Sequence, residues 1–197
     1  ESTMKRRNKT LMQRALKDFG LDHIKGFIAK SDQDIDRYFS HLLCLPCVVK
    51  PEMSAGADDV YFCDSLDEVK IAVKKIVGRR NQIGGMNDAA LVQEQLFGTQ
   101  FFVNAVSVDG NHFISEIWKD LRTHTKDKRV VCDREILLGG NGEIQITICN
   151  YVRNILSALE IRNGASHTEL MLTERGPVLI ETAARMQGTI LPKAVEE

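Results

Sequence analysis

The sequence predicts a mixed α+β protein built mostly from antiparallel hairpins, and three observations carry that expectation. Asp109-Gly110-Asn111 supplies hairpin turn chemistry between two β-rich runs. Leu170–Leu172 and Val178–Ile180 flank Thr173-Glu174-Arg175-Gly176-Pro177, where Gly and Pro mark a second turn. Between such runs lie segments whose apolar residues recur at helical spacing. At 197 residues the chain is long enough for one large domain or two small lobes.

The elements follow in order. Leu11, Met12, Ala15, Leu16 and Phe19 form an apolar stripe, so a helix is expected from Lys5 to Phe19, closed by Gly20. A short strand follows at Gly26–Ala29. Ser31 then caps a helix to about Leu43, its hydroxyl satisfying a free backbone N–H. Cys47-Val48-Val49, ending at Lys50-Pro51, reads as a strand, and a small polar loop (52–59) returns to a strand at Val60–Cys63. Ser65 caps a helix with Leu66, Val69, Val73 and Ile76 on one face. Strands are expected at Ala90–Leu96, Phe101–Val108, His112–Trp118 and Val130–Leu138. Ile148, Val152, Ile155, Leu156 and Leu159 mark a helix before the last hairpin, and a helix start follows Pro192.

Composition excludes several classes. The chain is 43% hydrophobic and 27% charged, with 26 Lys and Arg against 27 Asp and Glu, so nothing global suggests a nucleic-acid or membrane surface. The local basic stretch Lys119–Arg134 is diluted by Asp120, Asp127 and Asp133. No apolar run approaches the roughly 20 residues a bilayer span needs. Five cysteines without regular spacing point to free thiols and a reducing, cytoplasmic setting. Cys44-Leu-Pro-Cys47 has no second ligand pair to make a zinc site. Because the chain starts at Glu1 and stops at Glu197 inside an expected helix, it reads as a piece of a longer protein.

The chemistry concentrates in the last hairpin. If its turn centres on Arg175, Glu169 and Glu181 lie opposite each other on one face. Opposed like charges destabilise a strand pair, and a hard divalent cation such as Mg²⁺ is the simplest reason to keep them; a solvated charged hairpin is the plain alternative. Arg185 joins that face if the strand continues, placing a fixed cation beside the site. His167 shares the side of Glu169, as a site residue or as a packed histidine. Lys50, at a strand end before a loop of small residues, suits phosphate or is an ordinary turn. Leu91–Val103, a strand leading through Gly98 into another strand, reads as a hinge whose open backbone groups suit an adenine edge, or as two sheet strands joined by a glycine bend.

Taken together these stretches resemble the ATP-grasp ligases over nearly the whole chain. The resemblance rests on R-R-N-K-T-L-M around Lys9, V-V-K-P-E-M-S-A-G around Lys50, Q-E-Q-L-F-G-T-Q, and H-T-E with I-E-T-A-A-R-M-Q-G. The last run is similar to bacilysin-type L-amino acid ligases. The resemblance implies an ATP-grasp fold with a connecting helix (1–20), a small α/β nucleotide lobe (21–96) and a larger antiparallel metal-binding lobe (97–197). It places Lys9, Lys50, Ser54, Ala55 and Gly56 around ATP phosphates, and Glu94, Gln95 and Leu96 at the adenine. Gln100 stands where a ribose-binding Glu is common, and Arg122 substitutes for a phosphate-contacting lysine. Glu169 and Glu181 would hold Mg²⁺ or Mn²⁺, Arg185 would stabilise the transferred phosphoryl group, and His167 and Thr189 would face the substrate. Ala183 replaces a frequent Asn ligand, which marks the subgroup or signals lost catalysis.

The implied activity joins a carboxylate and an amine of amino-acid-like substrates through an acyl phosphate, giving ADP and phosphate. A homodimer is compatible with it; nucleic acid and membrane are not expected partners. The alternatives are another ATP-grasp branch, of carboxylase or purine-pathway type, or a non-catalytic nucleotide-binding module.

Overall fold

The computed structural model describes residues 2–54, 59–124 and 130–188. Ala55, Gly56 and Thr189, and the helix start after Pro192, lie outside these residues. The chain forms two compact units: one from Thr3 to Phe97, the other comprising Gly98–His124 and the chain from Val130 on.

The first unit begins with two helices where one was expected, α1 (Ser2–Arg7) and α2 (Lys9–Asp18). Asn8 causes the break. It adopts an extended conformation, and its side chain accepts the Leu11 N–H at 2.9 Å as the N-cap of α2. Its amide also donates to Glu52 Oε1 at 3.3 Å. Asn8→Ala is expected to lower stability by about 1 kcal/mol, read as a shift of the urea unfolding midpoint at unchanged slope.

The unit continues through β1 (Gly26–Ala29), α3 (Asp32–Leu42), β2 (Cys47–Pro51), β3 (Tyr61–Cys63), α4 (Leu66–Ile76) and β4 (Ala90–Glu94). The strands form an antiparallel sheet in the order β1-β4-β2-β3. Phe27, Ala29, Cys47, Val49, Ala90 and Val92 project from one face into a core shared with Ile35, Val69, Val73 and Ile76 of α3 and α4. Period two then turns Lys50 to the opposite face, paired with Leu91. Ser31 is the N-cap of α3, as expected, in a capping box with Asp34. The Asp34 carboxylate accepts the Ser31 N–H at 3.2 Å and also the Lys30 N–H at 2.8 Å. The Lys30 bond leads the causes that hold its carboxyl below the usual range. Cys47 pairs across the sheet with Cys63, both buried, and their contact followed by burial pushes the Cys47 thiol up. All five cysteines are free thiols, and among the described residues no group of three His, Cys, Asp or Glu is placed to hold a metal.

The second unit holds β5 (Thr99–Val108), β6 (Asn111–His124), β7 (Val130–Leu137), α5 (Glu143–Ala158), β8 (Gly164–Thr173) and β9 (Gly176–Ala183). Its five antiparallel strands run in the order β7-β6-β5-β8-β9. Asp109 and Gly110 both have positive φ, as the turn joining β5 to β6 requires. The helix α5 packs against β6 and β9, burying Ile148, Val152, Ile155 and Leu156 fully. Tyr151 Oη accepts the Leu179 N–H at 2.9 Å, so this helix is also tied to the sheet by a hydrogen bond. The other face of the sheet carries polar side chains. No helix among the described residues is long and apolar enough to cross a membrane.

Candidate functional site

The polar face of the second unit depends on an irregularity in the β8–β9 hairpin. The turn closes on Glu174 and Arg175, with Thr173 paired to Gly176, rather than centring on Arg175. Neither turn residue has positive φ, whereas Gly176 has φ +104°, so a glycine in the left-handed region completes the return. A regular hairpin from this turn would set Ile180 opposite Glu169 and turn Glu181 toward α5, on the side of Leu179. A bulge intervenes: Leu170 pairs with Leu179, and Glu169 pairs with Glu181. The extra residue, Ile180, lets Leu179 face the core while Glu181, two residues on, faces the polar side. The opposed glutamates thus arise from a shifted turn and a compensating bulge.

Around Glu169 the neighbouring strands supply partners. Gln100, on β5 and 6% exposed, donates its amide to Glu169 Oε2 at 3.0 Å. One N–H of the Gln100 amide is thus engaged by the carboxylate across the strand. Arg122 on β6 brings Nη2 to 4.0 Å from the same oxygen, while its Nε donates to Asp120 Oδ2. The Arg122 guanidinium also lies 5.7 Å from the Phe102 ring centroid, which helps fix its plane. Asp120 is buried, and its Oδ1 has no hydrogen-bond partner. Burial, then the contact with Asp120 and the charge of Glu135, raises the Cys132 thiol on β7 to about 11, so it stays protonated. His167 is buried beside Phe102, with Nε2 3.7 Å from Glu169 Oε1 and Nδ1 3.0 Å from Asn104 Oδ1.

Arg185 is not delivered in the way the sequence suggested. The strand β9 ends at Ala183, so strand periodicity does not carry to Arg185, which is exposed and donates Nη1 to the Met186 carbonyl at 3.0 Å. Ala183 is paired with His167.

The first unit gathers its own set. Lys9 and Lys50 are both buried, at 6% and 7% exposure, although a buried ammonium is rare without a partner. Lys9 Nζ donates to the Ser54 carbonyl at 3.1 Å, and its backbone N–H to Glu52 O at 3.1 Å. Asn81 grips the residue between them, donating Nδ2 to Met53 O at 2.9 Å. Three successive residues, Glu52, Met53 and Ser54, are therefore held. The expected hinge is partly occupied. The Glu94 N–H donates to Lys25 O at 3.0 Å and its Oε1 accepts the Lys25 N–H at 2.9 Å, while the Gln95 N–H reaches Pro46 O at 3.4 Å. Leu96 lies beyond the end of β4 and is half-buried.

Sequence reasoning missed Asn104, Glu116, Asp120 and Asn81. A signal was present for the first: Asn104 interrupts the apolar run Phe101–Val106, and it lies in the buried segment Phe101–Ala105. A polar side chain in such a buried segment must find partners there.

With this geometry in view, comparison with known proteins is direct. A family profile described as an ATP-grasp domain matches residues 43–193. The chain belongs to the ATP-grasp family. It is 32% identical over its whole length to dapdiamide A synthase of Enterobacter agglomerans, and spans 46% of that protein. Among solved structures, L-amino acid ligase from Bacillus licheniformis superposes with a TM-score of 0.77 at 24% identity, covering 95% of this chain and 42% of that one. Phosphoribosylamine–glycine ligase from Thermotoga maritima also gives 0.77, at 20% identity, covering 99% and 51%. At these identities the two structures establish the ATP-grasp fold. The chain thus spans about half the length of the relatives it matches.

Proposed function

We propose that the protein is an ATP-dependent carboxylate–amine ligase acting on amino-acid-like substrates. The observation that carries this reading is the directly opposed Glu169–Glu181 pair, built by a bulge on the polar face of an ATP-grasp sheet. The pair suits Mg²⁺: its donors are hard carboxylate oxygens, and one or two protein carboxylates completed by phosphate oxygens is the usual Mg²⁺ arrangement. That agrees with the lack of a third protein ligand among the described residues. When bound, the metal would supply charge neutralisation for the phosphates.

In this reading Lys9, Lys50, Ser54, Ala55 and Gly56 hold phosphate oxygens. Glu94, Gln95 and Leu96 border the adenine, Leu96 offering backbone groups with neighbours already committed. Gln100 orients Glu169, and Arg122 neutralises charge beside it. Arg185 stabilises the transferred phosphoryl group, and His167 and Thr189 serve the substrate side. A substrate carboxylate oxygen takes the γ-phosphoryl of ATP, forming an acyl phosphate and ADP. The amine nitrogen then attacks the acyl carbon, the C–O bond to phosphate breaks, and the amine loses a proton. Catalysis of such a transfer rests on positioning and charge neutralisation. The names of the two ligase-type relatives, dapdiamide A synthase and L-amino acid ligase, favour amide formation over carboxylation. Free thiols agree with a reducing cytoplasmic setting.

The test is phosphate release from ATP·Mg²⁺ by the full-length protein across pairs of amino acids, with the amide product identified by mass spectrometry. Release that requires both an amino-acid carboxylate and an amine is expected. ATP binding without release for any pair would make the protein a nucleotide-binding module.

A further inference from the structure

Asn104 lies at the centre of the polar face, on the middle strand of the sheet, and is 1% exposed. Its Nδ2 donates to Glu116 Oε2 at 2.7 Å, an oxygen that also receives Trp118 Nε1–H at 3.0 Å. Its Oδ1 accepts the Gln187 N–H at 3.1 Å and lies 3.0 Å from His167 Nδ1. The orientation of this amide is overdetermined. A carboxylate only accepts, so the NH₂ group must face Glu116; a backbone N–H only donates, so the oxygen must face Gln187. An oxygen facing His167 Nδ1 requires that nitrogen to carry the proton. Nε2 is the ring atom that faces Glu169 Oε1 at 3.7 Å. The same oxygen fixes the chain after β9. Gln187 is held to β5 through its N–H and to β7 through Nε2, which donates to Glu135 Oε2 at 2.8 Å. The segment carrying Arg185 is therefore fastened to the polar face.

We propose that Asn104 is a positioning residue that fixes the His167 ring through its Nδ1–H and anchors the Arg185 segment, so that Nε2 is presented beside Glu169. Placed there, Nε2 serves the amine substrate; this last clause rests on the ligase reading above. A bulge supports the arrangement: Ser115 is the extra residue between the Asn104–Glu116 and Ala105–Ile114 pairs, and its hydroxyl donates to Asn104 O at 3.2 Å.

The first readout is the ¹⁵N pattern of His167 in the wild-type protein. An Nδ1–H pattern is expected, and an Nε2–H pattern overturns the proposal without any variant. In Asn104→Leu the pattern should move to the Nε2–H form common for free imidazoles; an unchanged pattern overturns it. In the ligase assay Asn104→Leu should lower kcat/KM for the amine about tenfold to a hundredfold, while the KM for ATP stays within about twofold. Equal losses for amine and ATP overturn the positioning role. If the wild-type protein shows no ligase activity, the functional reading fails, and the His167 pattern still decides the role of Asn104.

Discussion

Replacing both opposed glutamates by glutamine is expected to separate binding from stability in opposite directions. Glu169→Gln/Glu181→Gln keeps side-chain volume and leaves the Gln100 amide an oxygen to donate to, so the hairpin retains its packing. Two facing negative charges disappear, and such pairs destabilise a sheet, so unfolding stability should hold or rise by up to about 1 kcal/mol. Affinity for ATP in Mg²⁺ should fall about a hundredfold or more, because an amide is a poor substitute for a carboxylate toward a hard cation. At roughly 1.4 kcal/mol per factor of ten, that is about 3 kcal/mol of lost binding. Calorimetric titration with and without Mg²⁺, alongside thermal unfolding, reads both quantities on one sample. Unchanged Mg²⁺-dependent binding would remove the metal role from this hairpin. Lost binding together with a collapse in stability would mean that the charges are structural, with partners supplied by Gln100 and Arg122.

The same hairpin shows how far the sequence reaches. The pairing of Glu169 with Glu181 was legible, but through a turn centre one half-step from the real one. Turn geometry sets register, and a bulge resets it; the two departures cancel at the glutamates while changing the partner of Leu170 from Ile180 to Leu179. Helix and strand identities were readable because their apolar periodicity is strong. The break at Asn8 was not, since an asparagine inside a helical stripe becomes a cap only once a partner such as Glu52 fixes it. Arg185 was assigned by extending a strand past its end, and periodicity holds only while the pairing lasts. Gln100 was judged by position, yet its direction is set by the carboxylate across the strand. Asp120 carries no local signal, and the break that Asn104 makes in an apolar run marks its burial but not its partners, which neighbouring strands and the chain after β9 bring beside it.

Gly98 is where a residue read as a flexible joint proves to be a steric requirement. Its φ is +153°, and a Cβ built on it would lie 2.1 Å from the Leu172 carbonyl oxygen and 2.8 Å from the carbonyl carbon. Both atoms belong to backbone, so no rotamer change relieves the contact. They belong moreover to the strand that pairs with the start of β5, where Thr99 faces Leu172. Gly98→Ala must either break that first pair or push β8 away from β5. The expected loss is about 2–4 kcal/mol of stability, from a disallowed backbone conformation and a displaced strand end. The control is Gly110→Ala. Its φ is +85° but its Cβ meets nothing within 4 Å, so only the conformational penalty of about 1 kcal/mol applies. Urea unfolding of the two variants separates the mechanisms: equal losses would reduce Gly98 to a turn glycine. The site gives the second readout, since Gln100 lies two residues along and orients Glu169 from β5. Peeling that strand end moves the donor, so Gly98→Ala should also weaken Mg²⁺-dependent ATP binding, while Gly110→Ala, at the far end of the same strand, should leave it unchanged.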